Sequence, residues 1–175
     1  MTFNVKHNEA FEALGALAPG QQWSSFDTLR PDARAGKAKL FVTTVWNHHS
    51  KFVSGKRVPT EIAICRDGRE GSLWYMVPRP GKDARKTHVA HWNAIELAVK
   101  DALPMIGVLK DVRTGLCSMS SIFNISEVRY QADKSAMWLR LVPRAPVDCA
   151  VKIINMDVAL GPRDYTIGNT ARDLV

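Results

Sequence analysis

Thr87-His88-Val89-Ala90-His91-Trp92-Asn93-Ala94-Ile95-Glu96-Leu97-Ala98-Val99-Lys100-Asp101-Ala102-Leu103 carries the one long helical period of the chain. Val89, Trp92, Ile95 and Val99 recur at spacings of three and four, and Glu96 stands four residues before Lys100, so one face is apolar and the other can pair charges. Thr87 is placed to cap this helix, and Pro104 ends it. Everything else of length reads as strand. Leu40 to Trp46 is β-branched and aromatic, Thr60 to Arg66 puts Ile62 and Ile64 on one face, and Leu73 to Val77 follows the Asp67-Gly68 turn. Beyond the helix come Met105 to Leu109, Ile122 to Tyr130, and Ser135 to Val142, where Met137, Leu139 and Leu141 alternate with Trp138 and Arg140. Val151 to Met156 adds a last strand.

One long helix among closely spaced strands predicts an α+β fold with a mixed or antiparallel sheet. A β-barrel or pseudobarrel with one main packed helix is the economical form, because closure removes exposed edges. Short helices precede it: Phe11, Leu14 and Leu17 define one before Pro19-Gly20, and Trp23, Phe26 and Leu29 suggest another. Asn47 to Pro59 reads as a loop or irregular hairpin around Gly55, and Asp111 to Ser121 as turn-rich. We expect a single domain over residues 1–157 and a tail or linker over 158–175.

The chain has 175 residues, 46% of them hydrophobic, with 24 Lys+Arg against 17 Asp+Glu and a formal charge of +7. That is enough apolar material for a core, and it excludes wholesale disorder. No window has the roughly 18 apolar residues of a membrane span, and the opening residues do not form a signal peptide. Cys65, Cys117 and Cys149 are an odd, scattered set without a CxxC pair, so a cytoplasmic location with free thiols is expected, Cys65 acting as a small buried hydrophobe.

Much of the positive charge lies in three loop clusters. Arg30, Arg34, Lys37 and Lys39 form the first; His48, His49, Lys51, Lys56 and Arg57 the second; Arg79, Lys82, Arg85 and Lys86 the third. Placed between elements, they can converge at one end of a barrel and neutralise phosphates. Trp46 and Trp74 neighbour these clusters, and aromatic faces beside cationic loops suit a stacked or flipped base. Trp92, on the helix stripe, reads instead as core. Asn47 could read a base edge, since an amide both donates and accepts. His88 joins this set at the helix start, where it could face an anion.

Catalytic motifs are missing: no GxSxG, no Walker loop, no GxGxxG after a strand, and no carboxylate pair at acid/base spacing. No cofactor is implied. His48, His49, His88 and His91 leave open a small histidine- or metal-dependent enzyme, although HxxH without the metalloprotease Glu is a weak pattern. A protein-interaction module with an acidic partner is a further alternative.

One resemblance sharpens these expectations. His91-Trp92-Asn93-Ala94-Ile95, then Leu103-Pro104-Met105-Ile106-Gly107-Val108, is similar to a tryptophan-led helix followed by a Pro-hydrophobic-x-Gly strand in recognition domains of modification-dependent (McrA-type) restriction proteins, within the wider PUA-like, SRA-like and B3-like barrels. Leu109-Lys110-Asp111-Val112-Arg113, Cys117-Ser118 and Ile122-Phe123-Asn124-Ile125 look like its continuation. The match covers about a third of the chain. It implies a non-catalytic pseudobarrel that binds nucleic acid, DNA in preference to RNA, with a modified or flipped base in an aromatic pocket. In such families a nuclease is often joined to the reader, and no nuclease signature stands within these residues.

Overall fold

A computed structural model describes residues 4–29, 31, 37–147 and 151–161. In chain order the elements are β1 (Asn4–Val5), α1 (His7–Ala13), β2 (Ser24–Phe26), β3 (Phe41–Trp46), β4 (His48–Val53), β5 (Lys56–Ile62), β6 (Ile64–Asp67), β7 (Leu73–Pro78), α2 (Lys86–Lys100), β8 (Met105–Lys110), β9 (Cys117–Tyr130), β10 (Ala136–Pro143) and β11 (Ile154–Met156). Nine strands make one mixed sheet in the order β11-β6-β7-β10-β9-β8-β3-β2, with β1 on β9, and β4 and β5 form a separate hairpin. The fold is α+β, with two helices among the described residues. It is not a closed barrel: the ladder ends at β2 on one side and β11 on the other.

Alternation is plainest in β10. Met137, Leu139 and Leu141 enter the main core, whereas Trp138 points into a second cluster with Cys65, Trp74 and Val158. Both faces of the central strands are therefore covered, which makes β7 a nearly continuous apolar run. Helix α2 lays Trp92, Ile95 and Val99 onto the main core, each worth about 1.5–3 kcal/mol of burial. Arg85, not Thr87, is its N-cap residue, and no side chain caps it. The smaller α1 covers the other face with Ala10 and Phe11 against Val42, Ile106 and Val108.

Strand β8 runs parallel to β3, in register from Phe41–Met105 to Trp46–Lys110. The connection between them contains the β4–β7 segment and α2, so antiparallel neighbours alone could not provide this pair. Gly107 is needed within it, because a Cβ there would come 2.7 Å from Val45 Cγ2.

Several local expectations change. Trp23 to Leu29 is not helical; residues 24–26 pair with β3. The Asn47–Pro59 region is an ordered hairpin, turned by Ser54 and Gly55 with φ of 51° and 77°. Two successive positive φ values give a primed two-residue turn that matches strand twist. Strand β9 starts at Cys117, within the stretch expected to be turns. Packing also continues past Asp157: Val158 is buried, and Leu160 bridges to Gln131. The remainder of the expected tail, 162–175, lies outside the described residues, as do Arg30, Arg34 and Cys149. Cys65 is buried and free, as is Cys117. Among the described residues, no helix is long and apolar enough to cross a membrane.

Candidate functional site

Strand β3 delivers Trp46 at its last residue, where burial falls from complete to partial. The Trp23 backbone is pinned beside that strand: Thr44 N and Thr44 Oγ1 donate to the Trp23 carbonyl at 2.9 and 3.1 Å. The two indoles meet edge to face, with centroids 6.4 Å apart at 81°. From the first turns of α2, His88 and His91 approach Trp23 at 5.7 and 5.6 Å. Each histidine is held. His88 Nε2 donates to the Pro78 carbonyl at 2.7 Å, and His91 Nδ1 shares a 3.2 Å hydrogen bond with Ser24 Oγ.

These four rings line a cavity of about 530 Å³, within the usual range for small-molecule sites. Tyr75 closes its inner side, and burial pushes the phenol well above its ordinary range. His49, Lys51, Arg57 and Glu61 bring the β4–β5 hairpin to the rim. Burial, followed by the nearby His88 charge, lowers His91 to about 3, so it is neutral at pH 7. His49 is lowered too, by burial, with Glu61 opposing and His48 adding to the shift.

Cations crowd this end. The Arg57 guanidinium lies 5.3 Å from the Trp46 ring and 4.6 Å from Phe52, and its Nη1 donates to Ser50 Oγ at 2.8 Å. Arg85 stands 3.8 Å from the same Phe52 ring. Phe52 thus joins the second and third basic clusters, through cation–π contacts worth roughly 0.5–1 kcal/mol each where exposed. Lys110 Nζ adds a cation 4.8 Å from Trp46. Burial and the Arg85 charge lower Arg57, and burial lowers Lys110.

Other expected residues go elsewhere. Trp74 is 1% exposed, packed with Cys65, Trp138 and Val158, so it cannot present a face to a base. Its neighbour Tyr75 reaches the cavity instead, one step along a strand reversing the face. Asn47 uses its amide internally: Nδ2 donates to Asp111 Oδ1 at 3.2 Å, and Val112 N donates to Asn47 Oδ1 at 3.0 Å. Those bonds occupy both ends of the group expected to read a base edge. Arg79 lies over Trp92 and Tyr130 at 4.8 and 5.7 Å, and its Nε donates to the Lys134 carbonyl. Trp92 is core. Lys56 at the hairpin turn, Lys82 before α2 and Lys86 at its first residue are exposed and do not line the cavity.

His48 contributes to the aromatic cavity and also to a second one of about 290 Å³, lined mostly by polar and charged residues including Asn47 and Asp111. Among the described residues, no three His, Cys, Asp or Glu side chains gather closely enough to hold a metal. The sequence reading missed Trp23. Its spacing of three to Phe26 and Leu29 imitated a helix, and only the backbone bonds to Thr44 reveal its place. No protein-family model, curated protein or solved structure matches this chain.

Proposed function

We propose that this protein is a non-catalytic nucleic-acid-binding domain, DNA favoured over RNA, that takes a flipped or modified base into the cavity between Trp23, Trp46 and His88. The observation that carries this reading is the pairing of an aromatic cavity with a cationic rim, Arg57 lying directly on Trp46. Stacking holds any base by its π-face, and the neutral His91 adds a ring without adding charge. A base entering over Trp46 takes the place of the Arg57 guanidinium, which turns to the adjoining phosphate. Lys51, Lys56, Arg85, Lys86 and Lys82 extend the phosphate track outward.

The finer fold belongs to the same proposal. Asn47 N donates to the Lys110 carbonyl, and Ala63 N donates to the Asn47 carbonyl, both at 3.1 Å. These two bonds link β8, the β3–β4 junction and the β5–β6 junction. They support reading the open sheet and the hairpin together as a pseudobarrel, with the cavity at one mouth.

The test is an electrophoretic series on duplexes with plain, methylated and hydroxymethylated cytosine, beside single strands, at several salt concentrations. Binding that weakens steeply with salt and is diminished in Trp46→Ala is expected. Weak, salt-independent binding to every substrate would overturn the reading.

A further inference from the structure

We infer that the second cavity, walled by His48, Arg113 and Lys152, is a phosphate site that holds the backbone of the strand whose base enters the aromatic cavity. This deepens the base-binding reading and rests on it. The cavity, about 290 Å³, is lined mostly by polar and charged residues, Asn47, Asp111 and Ser121 among them. It lies against the aromatic cavity, because His48 borders both. A base and its adjoining phosphate therefore have neighbouring places, one aromatic and one cationic.

The charges in the second cavity are free to act. Among the described residues, the ion pairs are those of Arg129 and Arg140 with Glu127, so neither Arg113 nor Lys152 is paired. Asp111 faces the same space, but its carboxylate is occupied in building its own turn. Asn47 Nδ2 and Arg113 N donate to Oδ1, and Thr114 Oγ1 donates to Oδ2. His48 registers the balance of these groups: burial first, and then the Lys152 and Arg113 charges, lower it, against the opposing pull of Asp111. The cations outweigh the one acid at the position of the shared imidazole. A phosphate oxygen here would gain charge-assisted hydrogen bonds from a planar Arg fork and a mobile Lys ammonium. Ser121 and Asn47 make the wall polar without adding charge.

The experiment follows the His48 ring by NMR in the full chain, with the resonance assigned by its loss in His48→Gln. Titrations in sodium phosphate and in sodium chloride of equal ionic strength are compared. Inorganic phosphate should raise the His48 midpoint above its value in chloride. In Arg113→Gln/Lys152→Gln the difference should vanish, and Lys152→Gln alone, an exposed change, should reduce it. An equal midpoint in both salts, or a phosphate shift that survives the double change, overturns the site. A short single-stranded oligonucleotide supplies the second arm: the double variant should lessen the slope of log K against log salt by about 0.7 per lost contact, and an unchanged slope overturns the shared-strand assignment. Quenching of tryptophan fluorescence by an uncharged nucleoside reports the aromatic cavity separately. Quenching without a His48 response leaves the base site standing and removes the phosphate site; the reverse removes the base site and with it the shared-strand assignment, leaving a phosphate site only.

Discussion

Trp46 and Trp74 begin from similar positions in the sequence, each on an apolar strand with a basic segment nearby, and end in opposite environments. Trp46 closes β3, still paired with Lys110 of β8, where burial falls from complete to partial, and two cations rest against its ring. Trp74 lies inside β7, between β6 and β10, and faces a small core formed with Trp138 and Cys65. What separates them is coverage: a ring at a strand's end is offered to solvent, whereas a ring between two paired strands with both faces packed is not. Proximity to charge in sequence carries no information about this.

The largest test of the contrast is Trp74→Ala. Losing a buried indole should cost about 3–5 kcal/mol, read as a fall in the urea midpoint. Nucleic-acid affinity per folded molecule should remain, and an intact midpoint would erase the distinction. Next comes acid. His91 lies on the Trp46 side yet is buried as deeply as core, and its folded pKa is about 3 against 6.5 when free. The unfolded chain therefore binds the extra proton between those values, so stability is full above pH 6.5 and falls as pH drops towards 3. The change in the unfolding equilibrium is at most about tenfold per pH unit. Urea midpoints at pH 7 and 4.5 should separate in the native protein and draw together in His91→Gln.

Trp46→Ala should do the reverse of Trp74→Ala. Stability should change little, while affinity drops by about 1–3 kcal/mol, or roughly 5- to 150-fold, the worth of one stacked base. Smallest is Arg57→Gln, expected to lessen the salt slope by about 0.7–0.9 and leave the urea midpoint within about 0.5 kcal/mol of native. A fall in stability with no change in slope would make Arg57 a clamp on Phe52 alone.

Long periodic segments were legible. Helix α2 follows from spacings of three and four and strand β10 from a spacing of two, because burial on one face repeats the same residue class; β3, β7 and β8 were legible instead as short β-branched, aromatic or apolar runs, their residues mostly buried on both faces. Three basic clusters were expected in loops; the second lies instead on β4 and β5, where its Arg57 meets Arg85 of the third at the Phe52 ring, while Arg30 and Arg34 of the first lie outside the described residues. Three things escaped. A three-residue strand such as β2 offers no period, so Trp23 and Phe26 could be read at helical spacing. On β7 both faces are buried, and alternation could not say whether Trp74 or Tyr75 faced the cavity. Asn47 was read for its exposed chemistry, but a turn 64 residues later claims its amide. The sheet also failed to close as expected, because β4 and β5 pair with each other and leave β2 and β11 at the edges.

That separate hairpin has a consequence for how the molecule exchanges its amide protons. Its ladder from Val53–Lys56 to His48–Ile62 lies outside the nine-stranded sheet, and its tip exposes Phe52 at 45% and Val53 at 47%. A unit with few buried contacts has its own low opening free energy, below that of the strands packed on both faces. The amides of Lys51 to Arg57 will exchange with solvent long before those of β10, and a bound strand that pins Lys51 and Arg57 will slow them without altering the β10 rates. Protection confined to the hairpin thus becomes a direct record of where a ligand first takes hold.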